Sequence, residues 1–332
     1  MIWIKYAGIY VLLILLAFII AGISSAKLQD QYFGKTNTKA MKGVAILAVM
    51  LCHLMGKFGG GTTLFTPLGG IGVSIFLMFS AYGLNESFIR GGYKFWWKKR
   101  IIAVFIPYFL IQCILYWPFQ KFNIIDFILD VTLISPQYHN GWYLNYLLMC
   151  YMAFYLVIRV PFLTKHIIIV FTFLSAASFL LLREIKAEQA MSFLTGIVLS
   201  EYKESELIRK RLNWKTGVLF LIIGIVALAI KQTELIRNAD QIIFNFVQLL
   251  IKLPCGLGLC LITISLAKKM NLRMFAIIGA ISYELYLVHG YILQWVNASF
   301  TGEIIFIFGS LIGAVILHYV MKAIKNSVNK AK

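Results

Sequence analysis

The sequence predicts an all-α fold, a polytopic membrane helix bundle of about eleven transmembrane helices. Three observations predict it. Of 332 residues, 61% are hydrophobic and only 13% charged, against about 25% charged in a soluble domain, which leaves too little polar surface to coat a water-soluble globule. The apolar residues come in runs of about 20, the length that crosses a hydrocarbon core about 30 Å thick. Those runs lack period-two alternation, which decides for helices over the strands of a barrel.

In chain order the spans fall near 3–23, 41–57, 68–89, 101–118, 142–160, 166–182, 188–200, 216–230, 242–267, 274–297 and 303–321, with 188–200 the shortest. Residues 119–140 place Ile124, Ile125, Phe127, Ile128 and Val131 among Asp126 and Asp130 and read as an interfacial or re-entrant helix. Positive charge tests the count independently. If the loop after the first span is assigned to one side and the sides alternate, 23 of the 31 basic residues fall on that side. This side is therefore cytoplasmic, with the N-terminus outside and the C-terminus in the cytoplasm of a multi-pass cell-membrane protein. The first span is an anchor or a signal peptide, since Ser24-Ser25-Ala26 offers small residues for cleavage. Cleavage would leave the Lys27–Lys42 cluster outside, against the charge rule, so the anchor is preferred. Three segments follow: an anchor and linker over 1–35, a membrane domain over 36–323 and a basic tail over 324–332.

The net charge of +18 does not indicate nucleic acid. Its basic residues lie in short loops between apolar runs, where they set orientation and meet anionic lipid headgroups; the lipid bilayer is the expected partner. Cys52, Cys113, Cys150, Cys255 and Cys260 form no C-x-x-C pair, which argues against a disulfide framework or a metal site.

An ionisable residue deep in a span is expensive and functional by default. His53 lies about 18 Å along the second span, counted from Met41, and His289 about 22 Å along the tenth, counted from Met274. At matched depth the two could share one polar cavity, or each could bond a neighbouring helix independently. Lys42 precedes His53 by eleven residues, a rise of about 16 Å. A cation at one interface and a base deeper in suit a donor with a phosphorylated head and a long thin tail, the shape of coenzyme A; taken alone, Lys42 reads rather as a topology anchor. Ser80 and Tyr82 lie in the third span, with Glu86 near its cytoplasmic end, either functional or snorkelling. Lys252 lies either at mid-depth or, since the Pro254–Gly258 stretch allows its span to start late, at the outer interface, which is preferred. His318 near the end of the last span reads as structural and His166 as interfacial. Trp142, just after His139, Asn140 and Gly141, is either a belt aromatic or a wall of an acceptor site.

Four stretches then carry a resemblance. They are Lys42-Gly43-Val44-Ala45-Ile46-Leu47-Ala48-Val49 leading to His53; Gly72-Val73-Ser74-Ile75-Phe76 through Ser80-Ala81-Tyr82-Gly83; Lys98-Lys99-Arg100 leading to Pro107-Tyr108; and Ser282-Tyr283-Glu284-Leu285-Tyr286-Leu287-Val288-His289. In this order and on these helices they resemble the acyltransferase-3 family of integral membrane O-acyltransferases. The resemblance covers about 36–323 and implies a ten-helix core, the first span being an added anchor. It departs from the family pattern at Lys42, where Arg is usual, at Ala81 in place of Gly, and at Ala103 and Val104, where a second Arg is missing.

The resemblance implies transfer of an acyl group, usually acetyl, from cytoplasmic acetyl-CoA to a hydroxyl of a cell-envelope polysaccharide or lipid-linked sugar. His53 would be the general base or a transient acyl carrier, with His289, Tyr286 and Ser80 orienting it or stabilising the oxyanion. Lys42, Lys98, Lys99 and Arg100 would hold the CoA phosphates; Trp142, His139 and Glu86 are candidates for acceptor binding. The other reading of the same residues is a polysaccharide-precursor transporter or flippase with histidine proton relays.

Overall fold

The structure, a computed structural model, describes residues 2–23, 33–59, 63–93, 95–138, 141–267 and 272–330. Among these residues it is all-helical, with no strands. Among the described residues seven helices are long and apolar enough to cross a membrane, and an eighth span results if Arg273–Ala280 and Ser282–Trp295 count as one broken span. Most of the remaining expected spans are helical but short, as at Ile167–Leu181 and Ala190–Glu201; the described apolar stretch of the first, Ile4–Ala17, is also short. Several apolar helices fit a multi-pass membrane protein; length and composition do not confirm the count of about eleven.

The chain divides into two compact units, Met1–Gly92 with Leu156–Ala280 and Tyr93–Tyr155 with Ile281–Lys332. The first unit contains α1 (Ile2–Ile23), α2 (Lys35–Phe58) and α3 (Thr66–Gly91). It is built on close approaches permitted by glycine. In α2 a Cβ at Gly43 would collide with the Phe275 carbonyl oxygen, while a Cβ at Gly279 would collide with the Lys39 carbonyl oxygen. Gly72 in α3 lies against the Ala45 carbonyl and Val49 of α2, and Gly69 against Cys52. Small residues let backbones touch in this way wherever lipid supplies no hydrophobic force to drive helices together. Tyr10 of α1 donates to the Leu47 carbonyl of α2 at 2.9 Å, so the expected anchor packs on α2.

The second unit begins with α4 (Trp96–Phe119), which is not a uniform helix. Ile101–Phe105 and Gln112–Tyr116 are π-turns, ahead of Pro107 and Pro118 respectively. A proline ring clashes with the carbonyl four residues back and offers no N–H, and the wider turn relieves both. The expected short helix in 119–140 is present as α5 (Ile124–Val131), capped by the Asn123 side chain, which accepts from the Ile125 N–H at 2.9 Å. Next comes α6 (Gly141–Arg159), whose last four residues belong to the first unit, as do α7 (Ile167–Leu181), α8 (Ala190–Glu201), α9 (Trp214–Lys231), α10 (Gln241–Ala267) and α11 (Arg273–Ala280). The second unit closes with α12 (Ser282–Trp295) and α13 (Phe300–Lys330).

Candidate active site

The candidate residues divide between the two units. In the first, Lys42 and His53 both lie on α2 and both are half-buried. Eleven residues on an α-helix return to within about 20° of the starting direction, so the cation and the imidazole share one face. Ile46 and Val49 between them are 0% and 1% exposed, and Val49 lies against Gly72 of α3. The shared face therefore turns into the unit. His53 stands five residues from the end of α2. Its neighbour Cys52 donates its thiol to the Thr66 carbonyl at 3.4 Å, which puts His53 level with the first turn of α3.

That register also places Ser80. α2 and α3 meet antiparallel at Cys52 with Gly69 and at Ala45 with Gly72. Ser80 lies eight residues beyond Gly72, about 12 Å along α3, so it stands level with Lys42 rather than with His53. Glu86 is further along still, and its carboxylate is fully engaged. It accepts from Arg90 at 2.8 Å, from the Lys203 amine at 2.6 Å and from the Ser200 hydroxyl at 2.9 Å, while Asn85 donates to Ser200 and Glu201. These contacts clamp the end of α3 to the end of α8. Glu86 is thus an inter-helix clamp, which explains its burial without an acceptor.

At the opposite end of α3 the unit holds an ion pair that the sequence reading missed. Lys252 of α10 pairs with Glu188 just before α8, and the Lys252 stem crosses Gly70, where a Cβ would strike its Cε at 2.5 Å. Both partners are buried. Beside them runs a hydrogen-bond chain from Ser74 to Ser192 (2.8 Å), to Gln189 (3.1 Å) and to the Gly70 carbonyl (2.9 Å). Lys252 was expected at an interface through a late start of its span. Instead α10 runs unbroken from Gln241 through Pro254, and the carboxylate partner accounts for a buried amine twelve residues in.

In the second unit, α12 begins at Ser282 after a break at Ile281. The depth expected for His289 assumed one straight helix from Met274, and that arithmetic does not carry through the break. His289 is 0% exposed, and its Nδ1 lies 2.8 Å from the Leu285 carbonyl oxygen. A carbonyl only accepts, so Nδ1 carries a proton and donates to it. A chain of rings leads outward from it: Tyr286 at 5.9 Å, Tyr143 at 5.1 Å from Tyr286, and Trp142 at 6.4 Å from Tyr143. The structure thus connects Trp142 with Tyr286 and His289 through a tyrosine that the sequence did not single out. His139 lies outside the described residues.

The same unit holds a buried carboxylate network that the sequence does not announce. Asp130 of α5 is 0% exposed and accepts from the Tyr108 hydroxyl (2.6 Å), the Gln112 amide (2.6 Å), the Trp117 indole (2.9 Å) and the Gln137 backbone (3.0 Å). Gln112 in turn accepts from the Tyr291 hydroxyl, and Tyr291 stacks on Tyr138 at 4.6 Å. A buried carboxylate persists when its lone pairs are all used. On a regular α-helix Gln112 and Trp117, five apart, would diverge by about 140°; the π-turn over Gln112–Tyr116 brings them to one side.

The basic turn opens α4. Lys98 and Lys99 are exposed, whereas Arg100 folds inward with its guanidinium 5.6 Å from the Trp96 ring and 5.8 Å from the Tyr151 ring. Phe95, at φ 56°, enters the helix from the left-handed region, a conformation costing a non-glycine residue about 1–2 kcal/mol. His318, expected to be merely structural, lies 2.9 Å from Glu284, within the Ser282–His289 stretch.

Compared with known families, residues 36–322 match the acyltransferase domain of the acyltransferase-3 family. No curated protein and no solved structure matches the chain.

Proposed function

The chain belongs to the acyltransferase-3 family, a membrane acyltransferase family, and from that premise we propose that it moves an acetyl group from acetyl-CoA to a hydroxyl of an envelope polysaccharide or lipid-linked sugar. The observation that carries this reading is the shared face of α2, with Lys42 toward one end and His53 toward the other. The helix rise between them is about 16 Å, a span suited to a phosphorylated head held at the cation and a thioester delivered to the imidazole.

In the proposed step His53 takes the proton of the acceptor hydroxyl as its oxygen attacks the thioester carbonyl. The carbonyl oxygen becomes an oxyanion, the C–S bond then breaks, and the proton passes to the leaving CoA thiolate, giving an ester and free CoA. Lys98, Lys99 and Arg100 bind phosphate; Lys42 does so as a point charge, without the fork that an arginine there would supply. Ser80, level with Lys42, is assigned to the donor end. His289 and Tyr286 are assigned to orientation, because both are buried in the aromatic layer, with Trp142 the member of that ring chain assigned to the acceptor. The transporter reading has no observation in its favour.

The test is transfer of labelled acetyl from acetyl-CoA in membranes with and without the protein, together with O-acetyl analysis of the envelope glycans. Identical O-acetyl content in the two membranes would overturn the reading.

A further inference from the structure

The turn that opens α4 contains two buried N–H groups without an acceptor among the described residues, the Trp96 indole Nε1 and the Arg100 Nε. They are neighbours, since the Arg100 guanidinium lies over the Trp96 ring at 5.6 Å. Trp96 itself is 4% exposed. Around them stand Trp97, Tyr155 and Tyr151, with ring centroids 4.8, 5.3 and 6.0 Å from that of Trp96. The indole has no acceptor capacity and the guanidinium none, so this aromatic box presents N–H groups toward which only an acceptor can be favourable.

A buried N–H left unmade costs more than a made one gains, and buried polar groups in native proteins are almost always satisfied. The box therefore has the form of a site built for an incoming oxygen. The charge decides which kind. Arg100 is cationic, and Lys98 and Lys99 of the same turn are exposed beside it, an excess of positive charge that a neutral carbonyl would leave unanswered. A phosphate oxygen answers both needs, accepting charge-assisted hydrogen bonds from the guanidinium and the indole together.

We propose that Trp96 is a ligand-binding residue, and that its Nε1 and the Nε of Arg100 form a two-point hook for one phosphate group within the ring box of Trp97, Tyr151 and Tyr155. The phosphate has two possible sources, the CoA moiety of the acyl donor or the headgroup of a lipid. The choice of acetyl-CoA as the first probe rests on the donor reading above; the hook itself does not.

The test uses the purified, delipidated full chain in neutral detergent, with acetyl-CoA and short-chain phosphatidylglycerol as probes. The variants are Trp96→Phe, which keeps a ring and removes the N–H, and Arg100→Lys, which keeps the charge and removes Nε. Trp96→Phe should weaken one phosphate probe about ten- to a hundredfold, the loss of one hydrogen bond to a charged group, with the melting temperature of the unliganded protein unchanged. Loss confined to acetyl-CoA assigns the phosphate to the donor, and loss confined to phosphatidylglycerol assigns it to a lipid. Unchanged affinity for both probes overturns the hook, as does a loss that only follows a fall in unliganded stability. If Trp96→Phe does not fold, Arg100→Lys is held to the same outcomes. Wild-type protein that binds phosphatidylglycerol but not acetyl-CoA would defeat the donor reading and leave the hook standing.

Discussion

Lys42 and His53 stand on one face of α2, eleven residues apart, with the buried side chains of Ile46 and Val49 between them. The relationship makes His53 the sharpest target. His53→Ala should lower acetyl transfer about 10²- to 10⁴-fold, the usual contribution of a positioned base, with protein abundance near wild type. Transfer from labelled acetyl-CoA in membranes measures this, and wild-type transfer by a well-expressed variant would falsify the assignment. Lys42→Arg should be tolerated. His166→Ala serves as the control; His318→Ala does not, because it removes the partner of Glu284.

The basic turn should respond unequally. Lys98→Gln and Lys99→Gln, at exposed positions, should each weaken acetyl-CoA binding by no more than about fivefold, as expected for screened surface charges. Arg100→Gln should cost about tenfold or more, since it removes a half-buried guanidinium whose Nε is enclosed. Equal effects at the three positions, read by direct binding to purified protein, would contradict the inward placement of Arg100.

Asp130→Asn turns an acceptor of four hydrogen bonds into a group whose amide faces other N–H and O–H groups. The expected loss of stability is about 3 kcal/mol. Adding Gln112→Glu moves the carboxylate one position along the same network and should recover part of the loss. Thermal unfolding in detergent tests both, and a double variant less stable than Asp130→Asn would count against the network.

Glu188→Ala leaves the Lys252 amine buried opposite a vacancy and should destabilise the first unit by about 3–5 kcal/mol. Glu188→Leu with Lys252→Met should be near neutral, because removing both charges also removes both desolvation costs. Comparable losses in the single and double variants would show that the pair contributes nothing beyond side-chain volume.

Orientation has its own test. Single cysteines introduced near Arg90 and Lys203 should be labelled from the same side of the membrane, since Glu86 bonds both residues, and the charge rule predicts the cytoplasm. Labelling of the two from opposite sides would break the assigned topology.

How much of this was legible in the sequence depended on range. The apolar runs were, because a helix in lipid must satisfy its backbone internally and the required length is read directly. Lys42 and His53 were too, since a helix repeat needs no tertiary information. Asp130 was not: it sat in an amphipathic stretch like its neighbour Asp126, and its partners Tyr108, Gln112 and Trp117 converge only through a π-turn that no periodicity announces. Lys252 was misread for a related reason. Its neutralising carboxylate lies 64 positions earlier in the chain, in a segment too short to read as a firm span. Ser80 was placed by its motif rather than by register, and only the antiparallel meeting of α2 and α3 moved it to the level of Lys42.

The paired glycines of α2 and α11 limit how the protein can work. With Gly43 against the Phe275 carbonyl and Gly279 against the Lys39 carbonyl, a slip of one residue along either axis would drive a side chain into backbone. The helix bearing His53 is therefore keyed to its neighbour, like a bolt that cannot travel. A stroke of α2 past α11 is closed to this molecule, so any displacement of His53 along its helix axis must carry α11 with it.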